Sequence, residues 1–292
     1  MPSLRDLKRQ IGSIKNIAKV TEALQTVSAV KFRRAEARVK RARPYAENVE
    51  EMMRDVARRA RSDSPLLVGR EGNKVGVVSV TADRGLAGGF NAQVLRSTVR
   101  FRQEKEGEMV QVASGRKAVA FFRFRRIDPV EVYTGFSDSP TYEKAREIGL
   151  DLMTLFRDEE VDELYLIFNR FESALTQRPV VKRLLPAAPE EGEEEEDEGG
   201  ADFSTSYLEY VPDAEVILEK LVPRYVETMI WQALLESAAG EHGARMTAMK
   251  NATDNANDMA KDLTLQMNKA RQAQITREIS EIAAGAEALS AG

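Results

Sequence analysis

The two ends of this chain are long amphipathic segments, and sequence with strand character lies only between them. Residues 3–61 and 213–290 each predict a very long helix, whereas the strand-like runs fall within residues 74–211. At about 1.5 Å per residue these helices would extend on the order of 80 and 110 Å, which a compact domain of this size cannot bury. Each helix therefore needs another helix beside it, and the nearest candidate is the other end of the chain. This pattern favours a shaft, tether or spacer over an ordinary enzyme.

The composition excludes several classes of protein. The chain has 292 residues, which is enough for one large domain or two modest ones. It has no cysteine, so disulfides, thiolate catalysis and cysteine-ligated metals are excluded. No apolar run approaches the length of a membrane-spanning helix, and the charged N-terminus does not resemble a secretory signal.

Charge is distributed unevenly between the two ends. Residues 1–61 hold 16 basic and 7 acidic side chains, a net charge of +9, whereas residues 212–292 hold 8 and 12, a net charge of −4. The basic residues concentrate in the stretch 31–43, which begins with Lys31, Arg33 and Arg34. This stretch could be a solvated helix face, a contact for an acidic protein, or a contact for nucleic-acid phosphates. Phe32 is its only aromatic residue, which argues against base stacking.

Both terminal segments show the spacing of helices that pack on other helices. Apolar residues follow one another in steps of three and four from Leu4 to Val30, and alanines recur every fourth residue from Ala244 to Ala260. A row of alanines lets a neighbouring helix approach closely. We expect a kink or break at Pro44, and Pro223 could divide a short helix from the main one. The C-terminal helix is the longer one, so its last turns should extend past its partner or meet the partner's start.

The middle of the chain alternates between strand and helix patterns. This alternation predicts a mostly parallel sheet with helical crossovers. The predicted strands are 74–80, 108–113, 130–133 and 163–168, with a possible fifth over 178–185, and the predicted helices are 92–106, 116–124 and 141–157.

Two features of the middle region and its surroundings are candidates for chemistry. The glycine-containing turn TADRGLAGGFN (81–91) lies between a strand and a helix, where an α/β fold can bind phosphate. Its spacing is neither that of the dinucleotide-binding fingerprint nor that of a P-loop, so a tight crossover is favoured over nucleotide binding. His242 is the only histidine, so metal binding and Ser/His/Asp catalysis are both disfavoured. No catalytic, metal or cofactor residue is therefore predicted.

Two further segments have a distinctive polar composition: the C-terminal part of the last helix and an acidic run that precedes this helix. Asn268, Lys269, Arg271, Gln272, Gln274, Thr276 and Arg277 form a dense hydrogen-bonding surface, which suits a helix that makes weak, exchangeable contacts inside a protein sleeve. Residues 190–198 hold eight acids in nine positions, so residues 190–200 are predicted to be a disordered acidic loop.

Three segments resemble the gamma subunit of F-type ATP synthases. They are GSIKNIAKVTEALQTVSAVKFRRAE (12–36), TADRGLAGGFNAQV (81–94) and ARMTAMKNATDNANDMAKDLTLQMNKARQAQITREISEI (244–282). RYVETMIWQALLESAAGEH (224–242) is similar to the family as well. The last of the three segments is the most specific, and the resemblance extends over the full length of the chain.

The resemblance implies an α/β fold with long helices. Its terminal helices, 1–61 and 212–292, would form an antiparallel coiled coil, and residues 74–211 a central Rossmann-like α/β foot domain with a mostly parallel sheet. It implies a non-catalytic rotor without cofactors, which couples proton flow through the membrane c-ring to conformational cycling of the catalytic beta subunits. The implied partners are three alpha and three beta subunits, the epsilon subunit and the c-ring, with no nucleic acid and no insertion into the membrane.

Contact residues follow from the matched motifs. The resemblance implies shaft contacts at Arg245, Arg271, Gln272 and Thr276, with Leu24 facing them from the first helix. The resemblance also implies that the basic stretch contacts an acidic loop of the beta subunits. It implies that Tyr207 and Tyr210 contact the c-ring from the foot domain. The implied location is the cytoplasmic face of a bacterial plasma membrane, as a peripheral part of the complex.

Two other hypotheses stay open from the residues. The first is a coiled-coil adaptor that binds nucleic acid or an acidic protein through residues 31–43. The second is an α/β enzyme that binds a nucleotide at residues 81–91 and uses its long helices only to dimerise.

Overall fold

A computed structural model describes residues 3–59, 65–187 and 214–290. The chain divides into two compact units, one formed by residues 1–28 with 246–292 and the other by residues 29–245. The two terminal helices, α1 (Leu4–Arg59) and α6 (Ala214–Ser290), each contribute to both units. The predicted acidic loop 190–200 lies outside the described residues.

The larger unit contains a five-stranded sheet in the order β3-β2-β1-β4-β5. The strands β1, β2, β3 and β4 are parallel, and β5 pairs antiparallel with β4 at one edge. The strands are β1 (Lys74–Val80), β2 (Glu108–Ser114), β3 (Glu131–Tyr133), β4 (Glu163–Phe171) and β5 (Gln177–Leu185). The mostly parallel sheet predicted from the sequence is confirmed, and the possible fifth strand is its antiparallel edge.

Helices cover both faces of this sheet, which explains why its central strands are apolar on both sides. One face packs against α1, α5 and α6 in the largest hydrophobic cluster. The other face packs against α3 and α4 in two smaller clusters. The connecting helices are α2 (Pro65–Val68), α3 (Phe90–Glu104), α4 (Arg116–Phe124) and α5 (Tyr142–Arg157).

Within the larger unit α6 is buried on nearly all sides. From Tyr225 to Arg245 only Trp231, Gln232 and Ala244 keep even partial exposure. A helix in this position must also bury its polar residues, and Glu227, Glu236, Glu241, His242 and Arg245 are all at most 9% exposed. Buried charges require partners, so these five residues indicate where α6 is bonded to the rest of the unit.

Neither internal proline interrupts its helix. Residues on both sides of Pro44 belong to α1, and residues on both sides of Pro223 belong to α6. The break considered at Pro44 and the division at Pro223 were therefore wrong. After Pro44, Ala46, Val49 and Met53 are buried in the main cluster, and this packing offsets the one backbone hydrogen bond that proline removes.

The smaller unit is an antiparallel pair of helices. The hydroxyls of Thr21 on α1 and Thr253 on α6 lie 2.7 Å apart and share a hydrogen bond. From this contact half-buried or buried positions continue seventeen residues toward the N-terminus on α1, to Leu4, and seventeen residues toward the C-terminus on α6, to Ala270. Matching burial in opposite chain directions identifies an antiparallel pair, as predicted.

The alanine row of α6 forms part of this pair. Ala256 and Ala260 are buried, and Ala248 and Ala252 are half-buried. Met259, which the sequence placed in the same seam, is 55% exposed. The short side chains let α1 approach α6 closely.

Enlarging the alanine row should separate the helices. We expect Ala256→Leu to destabilise the pair by about 1–3 kcal/mol, because added methylene groups in a packed seam force the neighbouring side chains out of position. The matched control is Asn255→Leu, at the exposed position immediately before Ala256. Limited proteolysis with mass spectrometry should show faster cleavage within residues 4–28 for Ala256→Leu alone. Equal cleavage rates for both variants would contradict the close packing.

Candidate interaction surfaces

The end of α6 extends beyond its helical partner. The described side chains from Arg271 to Ala284 are all exposed, whereas those before them alternate between exposed and half-buried. The longer helix therefore continues as a single helix past the pair, and the predicted extension is confirmed.

This exposed end combines an apolar stripe with polar groups. Ile275, Ile279 and Ile282 follow at steps of four and three, so they share one helix face, and they are 44%, 61% and 73% exposed. Arg271, Gln272 and Thr276 are also exposed, and in the described part of the chain their side chains make no hydrogen bond. Exposed apolar residues of this size, spaced along one face, are typical of a helix that binds another protein.

Leu24 does not face these polar residues, contrary to the prediction. It lies less than one turn from Thr21, which contacts Thr253. Since the pair is antiparallel, the neighbours of Leu24 on α6 precede Thr253. Arg271 is eighteen residues beyond Thr253, or about 27 Å along the helix axis. Leu24 is half-buried in the pair.

The basic stretch of α1 divides into bonded and free cations. Lys31 forms an ion pair with Asp138 at 2.5 Å. Arg33 and Arg34 are exposed, and neither has an ion pair with a described residue. The free positive charge of this stretch therefore begins at Arg33, and Lys31 belongs to the interior bonding of the unit.

Arg245 is bonded within the chain. It is 8% exposed, its Nη2 donates to Glu241 Oε1 at 2.6 Å, and its Nε donates to the carbonyl oxygen of Gly85 at 3.2 Å. Both partners lie in the larger unit, so the guanidinium joins α6 to the glycine-containing turn. Its role as a shaft contact stays a prediction. Tyr207 and Tyr210 lie outside the described residues.

A carboxylate of the glycine-containing turn, Asp83, bonds to the N-terminus of α4 and to the loop after β3. Asp83 accepts hydrogen bonds from the backbone N–H groups of Arg116, Gly135 and Ser137 at 2.9–3.1 Å. The first of these is at the N-terminus of α4, the position that attracts anions. Burial raises the pKa of Asp83, but these hydrogen bonds outweigh it and hold the pKa below its ordinary value. This arrangement favours the tight crossover over nucleotide binding.

His242 is a buried, neutral component of the same region. Its Nε2 lies 3.1 Å from the carbonyl oxygen of Asp138, and its Nδ1 lies 3.5 Å from Nη1 of Arg245. Both contacts fit one tautomer, in which Nε2–H donates to the carbonyl and Nδ1 accepts from arginine. Burial lowers the pKa of His242, which agrees with a neutral ring. Among the described residues no cluster of His, Asp and Glu side chains could hold a metal ion.

The sequence analysis missed Asp83, Asp138 and Glu236, which carry most of this polar bonding. A partial signal exists for Glu236, because residues 225–240 are apolar on every helix face. Such a segment predicts a buried helix, and a buried acid predicts a partner. Asp83 and Asp138 are loop residues whose partners are distant in sequence, and no local pattern identifies them.

Comparison with known proteins agrees with this architecture. A family model described as ATP synthase matches residues 3–289. The "ATP synthase gamma chain" of Rubrobacter xylanophilus is 67% identical, over 100% of both chains. The chain belongs to the ATP synthase gamma chain family. The member from Pelotomaculum thermopropionicum is 46% identical, over 99% of this chain and 100% of its own length.

Solved structures show the same fold at low sequence identity. A chain of the Euglena gracilis mitochondrial ATP synthase rotor aligns with a TM-score of 0.68 and 19% identity, over 93% of this chain and 98% of that one. A chain from the central stalk and c-ring of the Tetrahymena thermophila mitochondrial enzyme aligns with a TM-score of 0.60 and 20% identity, over 80% and 99%. Central-stalk function follows from family membership. None of the described helices combines the length and apolarity needed to cross a bilayer.

Proposed function

We propose that the chain is the non-catalytic rotor shaft of a proton-translocating F-type ATP synthase. In this proposal three alpha and three beta subunits surround the exposed end of α6. The sheet domain binds the epsilon subunit and the membrane c-ring, on the cytoplasmic face of a bacterial plasma membrane. The observation that carries the proposal is the end of α6, which continues past its helical partner with an apolar stripe. Beside the stripe, the side chains of Arg271, Gln272 and Thr276 make no hydrogen bond to a described residue.

The exposed end suits a shaft that turns inside a protein sleeve. Ile275, Ile279 and Ile282 occupy one side of the helix, so the sleeve meets a different surface as the helix turns. A shaft shifts the conformation of a binding site only if its contacts differ between states. Arg271, Gln272 and Thr276 border the stripe and provide hydrogen bonds that can be broken and remade. These three residues are the proposed shaft contacts.

Further contacts are proposed lower on the shaft. Arg33 and Arg34 present free positive charge from α1, which suits an acidic loop of a beta subunit. Leu24 and Arg245 are carried as secondary candidates, since one is half-buried and the other is bonded within the chain. Tyr207 and Tyr210 are the proposed foot contacts.

A non-catalytic role is supported by the carboxyl edge of the sheet. Ligands of open α/β sheets bind at this edge. Here Asp83 accepts hydrogen bonds from the backbone N–H groups of Arg116, Gly135 and Ser137. Arg245 donates a hydrogen bond to the carbonyl oxygen of Gly85, so these groups are already bonded within the chain. The bacterial location is supported by the two relatives named above, which come from bacteria.

Deletion of residues 271–292 tests the proposal in the reconstituted enzyme. We expect ATP-driven proton pumping to fall by about fivefold or more, in line with coupling free energies of about 1–3 kcal/mol between sites. The sheet domain should stay folded, because its core contains no residue after Arg245. Pumping is measured by quenching of a pH-sensitive dye in vesicles, with ATP hydrolysis recorded in parallel.

Substitutions at full length separate the apolar stripe from helix length. The triple variant Ile275→Gln, Ile279→Gln and Ile282→Gln should reduce pumping, whereas the control Glu278→Ala, Ser280→Ala and Glu281→Ala alters the neighbouring faces and should not. Unchanged pumping by the deletion would overturn the assignment of this segment as the shaft.

A further inference from the structure

A network of polar contacts at the carboxyl edge of the sheet joins both long helices to two loops. It comprises Lys31, Asp83, Asp138, His242 and Arg245, and we refer to it as the sheet-edge network. The two loops follow β1 (residues 81–89) and β3 (residues 134–141). Because β1 and β3 are parallel strands of one sheet, their following loops lie at the same edge.

The first part of the network fixes the two loops to each other. Asp83, in the loop after β1, bonds the backbone N–H groups of Gly135 and Ser137 in the loop after β3. The N–H of Asp83 donates in return to the hydroxyl of Ser137 at 2.8 Å. Two short loops that exchange three hydrogen bonds form one rigid support.

The second part attaches both helices to this support. The carboxylate of Asp138 accepts a hydrogen bond from Lys31 of α1. The backbone carbonyl oxygen of Asp138 accepts a hydrogen bond from His242 of α6. One residue of the sheet domain therefore contacts both helices. Arg245 of α6 adds a bond to Gly85 in the other loop, and Arg38 of α1 contacts Ser139 at 3.4 Å.

The charges around Asp138 favour this arrangement. Burial raises the pKa of Asp138, but the hydrogen bond from Lys31 and the neighbouring basic groups outweigh burial and hold the pKa below its ordinary value. Glu241 neutralises Arg245 through a 2.6 Å contact. Both cations of the network, Lys31 and Arg245, are therefore paired with carboxylates of the chain itself.

We propose that the sheet-edge network sets the rotational position of α1 and α6 relative to the sheet domain, with Asp138 as the principal positioning residue for energy coupling. The proposal rests on the rotor function proposed above. Apolar contacts between helices are non-directional and allow small rotations, whereas hydrogen bonds require a defined geometry. A domain that drives two helices in rotation needs directional contacts with both, and Asp138 provides them at one point.

The test compares two ion pairs that both attach α1 to the sheet domain. Asp138→Ala removes the Lys31 pair, whose side chains are 37% and 34% exposed. The control Lys182→Met removes the pair of Lys182 with Glu50, which are 2.6 Å apart and 25% and 28% exposed. The control pair connects α1 to the edge strand β5 and does not involve α6. Partly exposed pairs contribute similarly little to stability, so the two variants should unfold at similar urea concentrations.

The assembled, membrane-reconstituted enzyme supplies the readout. We expect Asp138→Ala to lower the number of protons pumped per ATP hydrolysed by about twofold or more, because substitutions along a coupling network change coupling by about two- to thirtyfold. Lys182→Met should leave this ratio unchanged. Lys31→Met should reproduce the defect of Asp138→Ala, because it removes the same contact from the other side. Asp138→Ala and Lys31→Met alter partly exposed side chains and open no cavity in the core, so both variants should fold.

The outcomes separate this proposal from the rotor proposal. If Asp138→Ala and Lys31→Met pump as many protons per ATP as Lys182→Met, the positioning role is wrong. If the 271–292 deletion also leaves pumping unchanged, the shaft proposal itself fails. If all three ion-pair variants lose coupling, then any weakening of the attachment of α1 to the sheet domain is enough to reduce coupling. That result would also overturn the specific role of Asp138.

Discussion

Substitution of Arg43 by Met is expected to lower the free energy of unfolding by about 2–4 kcal/mol, through the charge left on Glu236. The Glu236 side chain is 1% exposed, and Arg43 is its cationic partner at 3.1 Å. The same carboxylate accepts a hydrogen bond from the backbone N–H of Phe171 at 3.2 Å, and Arg43 donates to the carbonyl of Phe171 at 3.0 Å. The expected loss lies below that for a fully buried pair, because Arg43 is 32% exposed.

A double variant distinguishes an uncompensated charge from lost packing. Adding Glu236→Gln to Arg43→Met removes the charge while keeping a hydrogen-bonding side chain, so the double variant should be more stable than Arg43→Met alone. The comparison is Arg100→Met, which removes a pair with Glu104 in the same unit whose side chains are 78% and 62% exposed. That variant should change stability by less than about 0.5 kcal/mol.

Urea unfolding followed by tryptophan fluorescence measures these effects. Trp231 is the only tryptophan, and it packs against two hydrophobic clusters of the larger unit. Its emission therefore reports the unit that contains Arg43 and Glu236. A cost for Arg43→Met no greater than that for Arg100→Met would show that Glu236 needs no cation.

Replacement of Gly115 by Ala should be the most destabilising substitution of a single small residue, at about 4 kcal/mol or more. Gly115 precedes α4 with φ of +93°, a region that side chains rarely adopt. An added Cβ would lie 2.2 Å from the carbonyl oxygen of Thr81. Thr81 cannot move easily, because its N–H donates to Ser114 and its hydroxyl accepts from the N–H of Ala118.

Gly135 is the matched control, because it has the same φ of +93° and no atom within 4 Å of an added Cβ. Gly135→Ala should therefore cost only the backbone strain, about 1–3 kcal/mol. Both variants are compared in the same urea experiment. The difference between them measures the contact with Thr81, and equal losses would mean that the loop shifts to relieve it.

The sequence predicted the long helices and the sheet, because both depend on local periodicity. Steps of three and four define α1 and α6, and buried apolar runs define β1 and β4. The sequence did not predict continuity through Pro44, because tertiary packing after the proline offsets the lost backbone bond. The positions of the candidate contacts depend on pairing register, which periodicity does not determine. The resemblance placed Leu24 opposite Arg271 without regard to this register, and the burial of Arg245 depends on the loop after β1, which is distant in sequence.

The apolar stripe at the end of α6 also affects how the chain can be handled before it is assembled. Ile275, Ile279 and Ile282 are exposed, and no other described helix covers this length of α6. A newly made copy that has not yet assembled exposes an apolar surface to which other copies can bind. It also exposes a helix end that proteases can cleave. In the proposed assembly the alpha and beta subunits cover this helix end, so production in step with them should protect the chain from both aggregation and degradation. Recombinant preparation should follow the same rule, with co-expression in preference to purification of the isolated chain.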